Sequence, residues 1–170
     1  MENYVKTLID KDVRMDNRKS EEYRSPVKLE YGVSTKAEGS AKAIIGTTEV
    51  IAGVKLKVGQ PYSDNPDEGT LITTAEFLPL SSPNFLPGPP KEDAIELARI
   101  IDRGIRESKM IDMKKLCIRE GELVWTLFLD IYTINDGGNL IDAAALAALA
   151  ALKAAVLPKL EDDQVVYGEF

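Results

Sequence analysis

Residues 130–157, DIYTINDGGNLIDAAALAALAALKAAVL, run from an apolar strand through a two-glycine turn into a helix rich in alanine. A strand that enters a helix through Gly137 and Gly138 aims free backbone amides, and the positive end of the helix dipole, at whatever lies beyond the turn. Normally that is an anion. The side chains argue otherwise: Asn139, Leu140 and Ile141 follow Gly138, with no Arg, Lys, Ser or Thr to hold a phosphate, and Asp142 adds negative charge near the helix start. The turn predicts a scaffold that has lost, or never had, the chemistry. On local grounds an ordinary strand-to-helix turn is the simpler account, because glycine pairs at turns are common.

The segment before the turn predicts a hairpin, Leu116 to Ile118 and Leu123 to Ile134 around Glu120-Gly121. Its second arm, with Trp125, Leu127, Phe128, Leu129, Ile131 and Tyr132, is apolar enough for a central strand covered on both faces. In the helix after the turn, Leu146, Leu149, Leu152 and Val156 share one side and are read as core. The alanines elsewhere let the backbone approach a sheet closely, and Pro158 closes the helix. Gln164 to Tyr167 then starts a strand-like run that ends with the chain.

Further upstream, Val5, Leu8, Ile9 and Val13 fit one face of a short helix, followed by the polar stretch RMDNRKSEEYRSP up to Pro26. Residues 1–25 are therefore read as a lead-in that packs on a surface, and residues 26–170 as one domain. Strands are expected at Val27–Tyr31, Val33–Lys36, Ala41–Ile45 and Val50–Val58, an antiparallel meander with one wet face, since lysines at 55 and 57 alternate with Val54, Leu56 and Val58. Another strand is expected at Leu71–Phe77. The proline-rich PNFLPGPP then ends extended structure.

Pro90 suits a first helical turn, and Glu92 and Asp93 suit the positive end of a helix dipole. In the following helix, Ala94, Ala98, Ile101 and Ile105 make one apolar face for the sheet. Arg99, Arg103 and Arg106 recur at offsets of four and three on another face, the one basic stripe able to follow a phosphate backbone. From the residues alone, a solvated face neutralised by Glu96, Asp102 and Glu107 is the favoured alternative.

Composition narrows the chemistry. The chain has 170 residues, 44% of them hydrophobic, enough for one substantial core. It has no histidine, which removes Ser-His-Asp and Cys-His nucleophile pairs, histidine-ligated metals and histidine general bases. The single cysteine, Cys117, forbids an internal disulfide and a multi-cysteine zinc site; it lies in an apolar run and is read as a structural thiol. GxxxxGK[ST] and GxGxxG are both absent, and neither DNPDE at 64–68 nor Glu161–Asp163 has calcium-loop spacing. No cofactor is expected. A formal net charge of −7 speaks against a nucleic-acid partner unless a local basic patch provides one. The start, MENYVKTLIDKD, has neither a basic n-region nor an apolar h-region, so a cytoplasmic protein without membrane contact is expected.

Several motifs together carry a family resemblance. Arg14-Met-Asp16-Asn-Arg18, Gly39-Ser40-Ala41, Gly46-Thr47-Thr48-x-Val50, ELARIIDRGIRES and the strand–turn–helix at 130–150 resemble the RNase PH family. More narrowly, Glu38-Gly39-Ser40-Ala41, Pro87-Gly88-Pro89-Pro90, Asp102–Ser108 and Gly138-Asn139-Leu140-Ile141-Asp142-Ala143 are similar to the non-catalytic RNase PH-like subunit of the archaeal exosome. The resemblance runs from about residue 14 to the end. It implies an α+β fold of the ribosomal protein S5 domain 2-like type, a mainly antiparallel or mixed sheet with helices packed on it. It also implies a second domain of comparable size, beginning after about residue 165.

The family's reaction is phosphorolysis of an RNA 3′ end, releasing a nucleoside diphosphate. Active members resembling this chain carry Gly-Thr-Arg or Gly-Ser-Arg where it has Gly138, Asn139 and Leu140, so these are read as degenerate phosphate-loop positions, and no catalytic residue is assigned. The family's catalytic acid belongs to the second domain. By the same resemblance Arg99, Arg103 and Arg106 become RNA contacts. The implied partners are a catalytic RNase PH-like sister subunit in a hexameric ring of alternating subunits, single-stranded RNA, and RNA-binding cap proteins of the exosome. The alternatives are an active phosphate-dependent exoribonuclease in its own right and an architectural module that never touches RNA.

Overall fold

A computed structural model describes residues 2–168. Helix α1 (Glu2–Asp10) opens the chain, and Val13 lies beyond it, in an isolated bridge with Lys19. Strands β1 (Val27–Tyr31), β2 (Gly39–Ile45) and β3 (Thr48–Gly59) form the expected antiparallel meander. The strand expected at Val33–Lys36 is absent. Instead the Ser40 hydroxyl accepts from the Ser34 N–H at 2.9 Å and donates to the Ser34 carbonyl at 3.2 Å, which pins that segment as a loop.

Strand β4 (Thr70–Phe77) leads into α2 (Glu92–Glu107); a short 3-10 turn, β5 (Cys117–Arg119), β6 (Leu123–Asn135) and α3 (Leu140–Ala154) follow. Helix α2 starts two residues beyond Pro90, and Lys91 occupies its N-cap without a side-chain hydrogen bond. Helix α3 ends four residues before Pro158. The final run is closed into a small hairpin, β7 (Lys159–Glu161) with β8 (Gln164–Val166), rather than left unpaired.

The main sheet has the order β1-β2-β3-β6-β4, with β5 appended to β6. β6 is central: it runs antiparallel to β3 and parallel to β4. A parallel pair needs a crossover, and α2 is part of it. The sheet is therefore mixed, with α2 and α3 packed on it, the α+β arrangement that the sequence leads one to expect.

β6 is not covered on both faces. Trp125, Leu127, Leu129 and Ile131 lie in the core, whereas Thr126, Phe128, Asp130 and Tyr132 on the other face are only half-buried. In α3 the expected core residues divide. Ala143, Ala144, Ala147, Ala148, Ala150 and Ala151 are buried and Leu146 and Leu152 pack half-buried against the core, while Leu149, and Val156 just beyond the helix, are exposed. Alanine forms the packed face because the helix lies so low on the sheet: a Cβ on Gly39 of β2 would meet the Ala151 carbonyl and stand 2.6 Å from the Ala155 Cα. In α2 the predicted face, Ala94, Ala98, Ile101 and Ile105, is buried together with Leu97.

Candidate RNA-facing surface and the glycine turn

The parallel strands β4 and β6 send the chain out at one end of the sheet, and α2 and α3 return from it. The ends are tied: the Asp136 N–H donates to the Ser81 carbonyl at 2.9 Å. Both helix N-termini, and the glycine turn between β6 and α3, therefore share that end. A groove between the helices is lined by Ile100 and Gly104 of α2, by Ser108 at its C-cap, and by Ile141, Ala145 and Leu149 of α3.

The glycine turn is tightly held. Thr48 lies beneath it, accepting from the Gly137 N–H at 3.1 Å and donating to the Gly138 carbonyl at 2.5 Å. Gly137 has no room for a Cβ, which would collide with the Thr47 hydroxyl. Gly138 has φ +89°, and Asn139, the N-cap of α3, is itself left-handed at φ 61°. Two consecutive left-handed residues explain why glycine and asparagine stand here.

The Asn139 side-chain amide does not cap the helix. It donates to the Asp142 carboxylate at 2.9 Å, so a carboxylate stands in the first turn of α3. Leu140 is half-buried against the core. The start of α3 presents the positive end of a helix dipole, but the Gly138 N–H is already donated to the Asp136 carboxylate at 2.9 Å, and the side chains Asn139, Leu140 and Asp142 bring no positive charge.

A cation does reach the turn from elsewhere. Arg24, in the lead-in segment, donates from Nη1 to the Gly137 carbonyl, and its guanidinium lies 3.1 Å from where a Gly138 Cβ would stand. Its stem packs beside Gly46 of the β2–β3 turn. Sequence reasoning missed this residue because 113 positions separate it from Gly137 and no local pattern marks it. The neighbouring arginines are also engaged: Arg14 donates to the Ser20 carbonyl, and Arg18 to Asp16 at 2.8 Å. The Arg18 guanidinium beside Asp16 holds that carboxyl below the usual aspartate range.

The arginine stripe on α2 divides. Arg106 donates from Nε to Asp102 at 2.6 Å and from Nη2 to the Leu71 carbonyl of β4 at 2.6 Å, while Asp102 also accepts from Thr73 at 3.0 Å. Arg106 thus joins helix to sheet. Arg99 and Arg103 are exposed beside Glu92, Ile95, Glu96 and Ile100 and make no hydrogen bond or ion pair with any described residue. The expected neutralisation of the stripe occurs only at Arg106. Among the described residues no cluster of His, Cys, Asp and Glu suits a metal ion, and no helix is long and apolar enough to cross a membrane.

Comparisons with known proteins bear on the fold and the family. The model of the 3′ exoribonuclease family, domain 1 (RNase PH), matches residues 22–158. The chain is 53% identical over 156 residues to exosome complex component Rrp42 of Methanosarcina mazei, a match covering 92% of this chain and 58% of that protein. It is 51% identical, with a TM-score of 0.85, to a chain of the Archaeoglobus fulgidus exosome with RNA bound to the active site, covering 90% of this chain and 60% of that one. A chain of an archaeal exosome core matches with a TM-score of 0.78 at 46% identity, covering 90% and 57%. The chain thus spans less than two thirds of the length of these relatives. Its sheet order, its two packed helices and these matches make it a member of the 3′ exoribonuclease (RNase PH) family, with residues 22–158 as the family's domain 1.

Proposed function

We propose that this chain serves as a non-catalytic structural and RNA-guiding subunit of a phosphorolytic 3′-to-5′ exoribonuclease ring of the exosome type, paired with a catalytic RNase PH-like sister. The carrying observation is the glycine turn. Asn139 faces Asp142, Leu140 turns to the core, and the nearby guanidinium of Arg24 is directed at a backbone carbonyl. Phosphorolysis needs an attacking phosphate held by preorganised cationic or hydroxyl donors, and the side chains of the turn supply none.

RNA guiding rests on Arg99 and Arg103, two exposed guanidinium groups about one helical turn apart on α2. Arg106 stands on the same helix and supports them by holding it to β4. The relatives' names speak of an exosome and of bound RNA; ring neighbours, RNA-binding cap proteins and a cytoplasmic location are further parts of this reading. Residues 1–25 act as the lead-in and residues 26–170 as the first domain of two. The apolar groove between α2 and α3 offers the second domain a surface.

A second reading, a phosphorolytic exoribonuclease active by itself, draws on the presence of the Arg24 guanidinium beside Gly138. Shortening of an end-labelled single-stranded RNA separates the two. Inactivity alone, with stimulation of a catalytic partner that weakens on substituting Arg99 and Arg103, is the expected result. Phosphate-dependent diphosphate release by this chain alone would overturn the reading. Unchanged binding and processing in the complex after charge reversal at Arg103 would leave a purely architectural role.

A further inference from the structure

Every residue of β1 is exposed, although the strand belongs to the main sheet. Val27, Leu29 and Tyr31 pair with Ile45, Ala43 and Ala41 of β2, so their side chains lie on the face of the sheet that those buried residues occupy. They are nevertheless 53%, 40% and 55% exposed, an apolar ledge at the sheet margin. The hydrogen-bond phase is fixed by two contacts at the strand's ends. The Gly46 N–H donates to the Pro26 carbonyl at 2.8 Å, and the Gly32 N–H to the Ser40 carbonyl at 2.8 Å. Even-numbered residues therefore bond to β2, and the N–H and C=O groups of Val27, Leu29 and Tyr31 point away from the sheet. An edge with apolar side chains and unpaired backbone groups is a template for another strand.

The sequence of this edge is complementary to itself. In an antiparallel pair of two β1 strands centred on Leu29, Val27 faces Tyr31 of the second copy and Leu29 faces Leu29. All the outward N–H and C=O groups are then opposed, giving about six inter-chain hydrogen bonds. On the other face, Lys28 stands opposite Glu30 in both halves of the pair. Lys28 has no partner among the described residues, and Glu30 already holds Lys42 at 2.9 Å, so the signs alternate across the junction. The nearest registers that keep the backbone groups opposed set Lys28 against Lys28 or Glu30 against Glu30, both repulsive.

We propose that a second copy of this chain docks on β1 in this register, joining two sheets about a two-fold axis through Leu29. The proposal goes beyond the subunit reading above and does not depend on RNA binding.

Sedimentation equilibrium of the 170-residue chain over a wide concentration range tests it. A monomer–dimer equilibrium is expected. Leu29→Pro removes one outward donor and none that β2 uses, so it should abolish dimers while leaving circular dichroism and melting unchanged. Lys28→Glu and Glu30→Lys should each raise the dimer Kd about tenfold, because each reverses two cross-strand charge pairs. Mixing these two variants should restore dimers, since every pair across the junction is then of opposite sign. A chain monomeric at every concentration would overturn the proposal. So would dimers indifferent to the Lys28 and Glu30 variants but lost on Leu149→Glu, which would place self-association on the helix layer.

Discussion

The Arg24 guanidinium donates to the carbonyl of Gly137, joining the lead-in segment to the turn before α3 across 113 residues of sequence. The same side chain lies against Gly46, so one residue braces two turns at one end of the sheet. A hydrogen bond from a charged donor is worth about 1.5–3 kcal/mol in a partly buried site. Arg24→Ala should therefore lower stability by about 2 kcal/mol, read as a lower urea midpoint at unchanged slope. Arg24→Lys should recover only part of the loss, because an ammonium lacks the planar fork. An unchanged midpoint for Arg24→Ala would show that the brace is dispensable.

The low seat of α3 on the sheet depends on Gly39. Its missing side chain leaves space occupied by the Ala151 carbonyl and by the Ala155 backbone, and backbone cannot move aside as a flexible side chain can. Gly39→Ala must lift the C-terminal turn of α3 off β2, costing about 3 kcal/mol, the upper range for an overpacked core. Gly104→Ala is the contrasting variant: its Cβ would meet nothing within 4 Å, and alanine is the better helix former. Thermal melts of the two should move in opposite directions.

These residues also show where sequence reading worked and where it failed. The β2–β3 hairpin and the buried face of α2 were legible because alternation and the helical period survive in short windows. In α3 hydropathy favoured the leucines, yet the alanines are buried, since the facing strand carries Gly39, Ala41 and Ala43 and leaves no depth for larger groups. Val33–Lys36 looked extended, but the Ser40 hydroxyl binds the Ser34 backbone and fixes a loop. Within the candidate site the glycine turn and its lack of cationic side chains could be read from its own residues. The brace from Arg24 and the tether from Arg106 to the Leu71 carbonyl could not, because both join segments far apart in sequence.

The division of the arginine stripe separates two kinds of effect. Arg103→Ala removes an exposed charge without a partner among the described residues, so stability should stay within about 0.5 kcal/mol. In the assembled complex it should weaken RNA binding at low salt and reduce the salt slope by about one. Arg106→Ala instead leaves Asp102 without its cation and the Leu71 carbonyl without its donor, and should destabilise by about 1–2 kcal/mol. Melting curves alongside RNA titrations at several salt concentrations measure both. Equal losses of stability for the two variants would refute the distinction.

Tyr132 gives the sheet's open face an alkaline signature. Burial, helped by the nearby carboxylates Glu76 and Asp130, raises its phenol above the usual value of 10.0. Its proton is therefore held more tightly in the folded chain than in the unfolded one. The stability this contributes is fully present below about pH 10, the unfolded value, and is lost as the pH climbs through the higher folded value. Tyr132→Phe cannot ionise and should flatten the alkaline limb of the stability curve while leaving neutral pH nearly untouched. Absorbance titration of tyrosinate should show the group missing from the variant to be one that titrates above pH 10. If the alkaline limbs of the two proteins superimpose, the Tyr132 phenol is not held protonated by this face of the sheet.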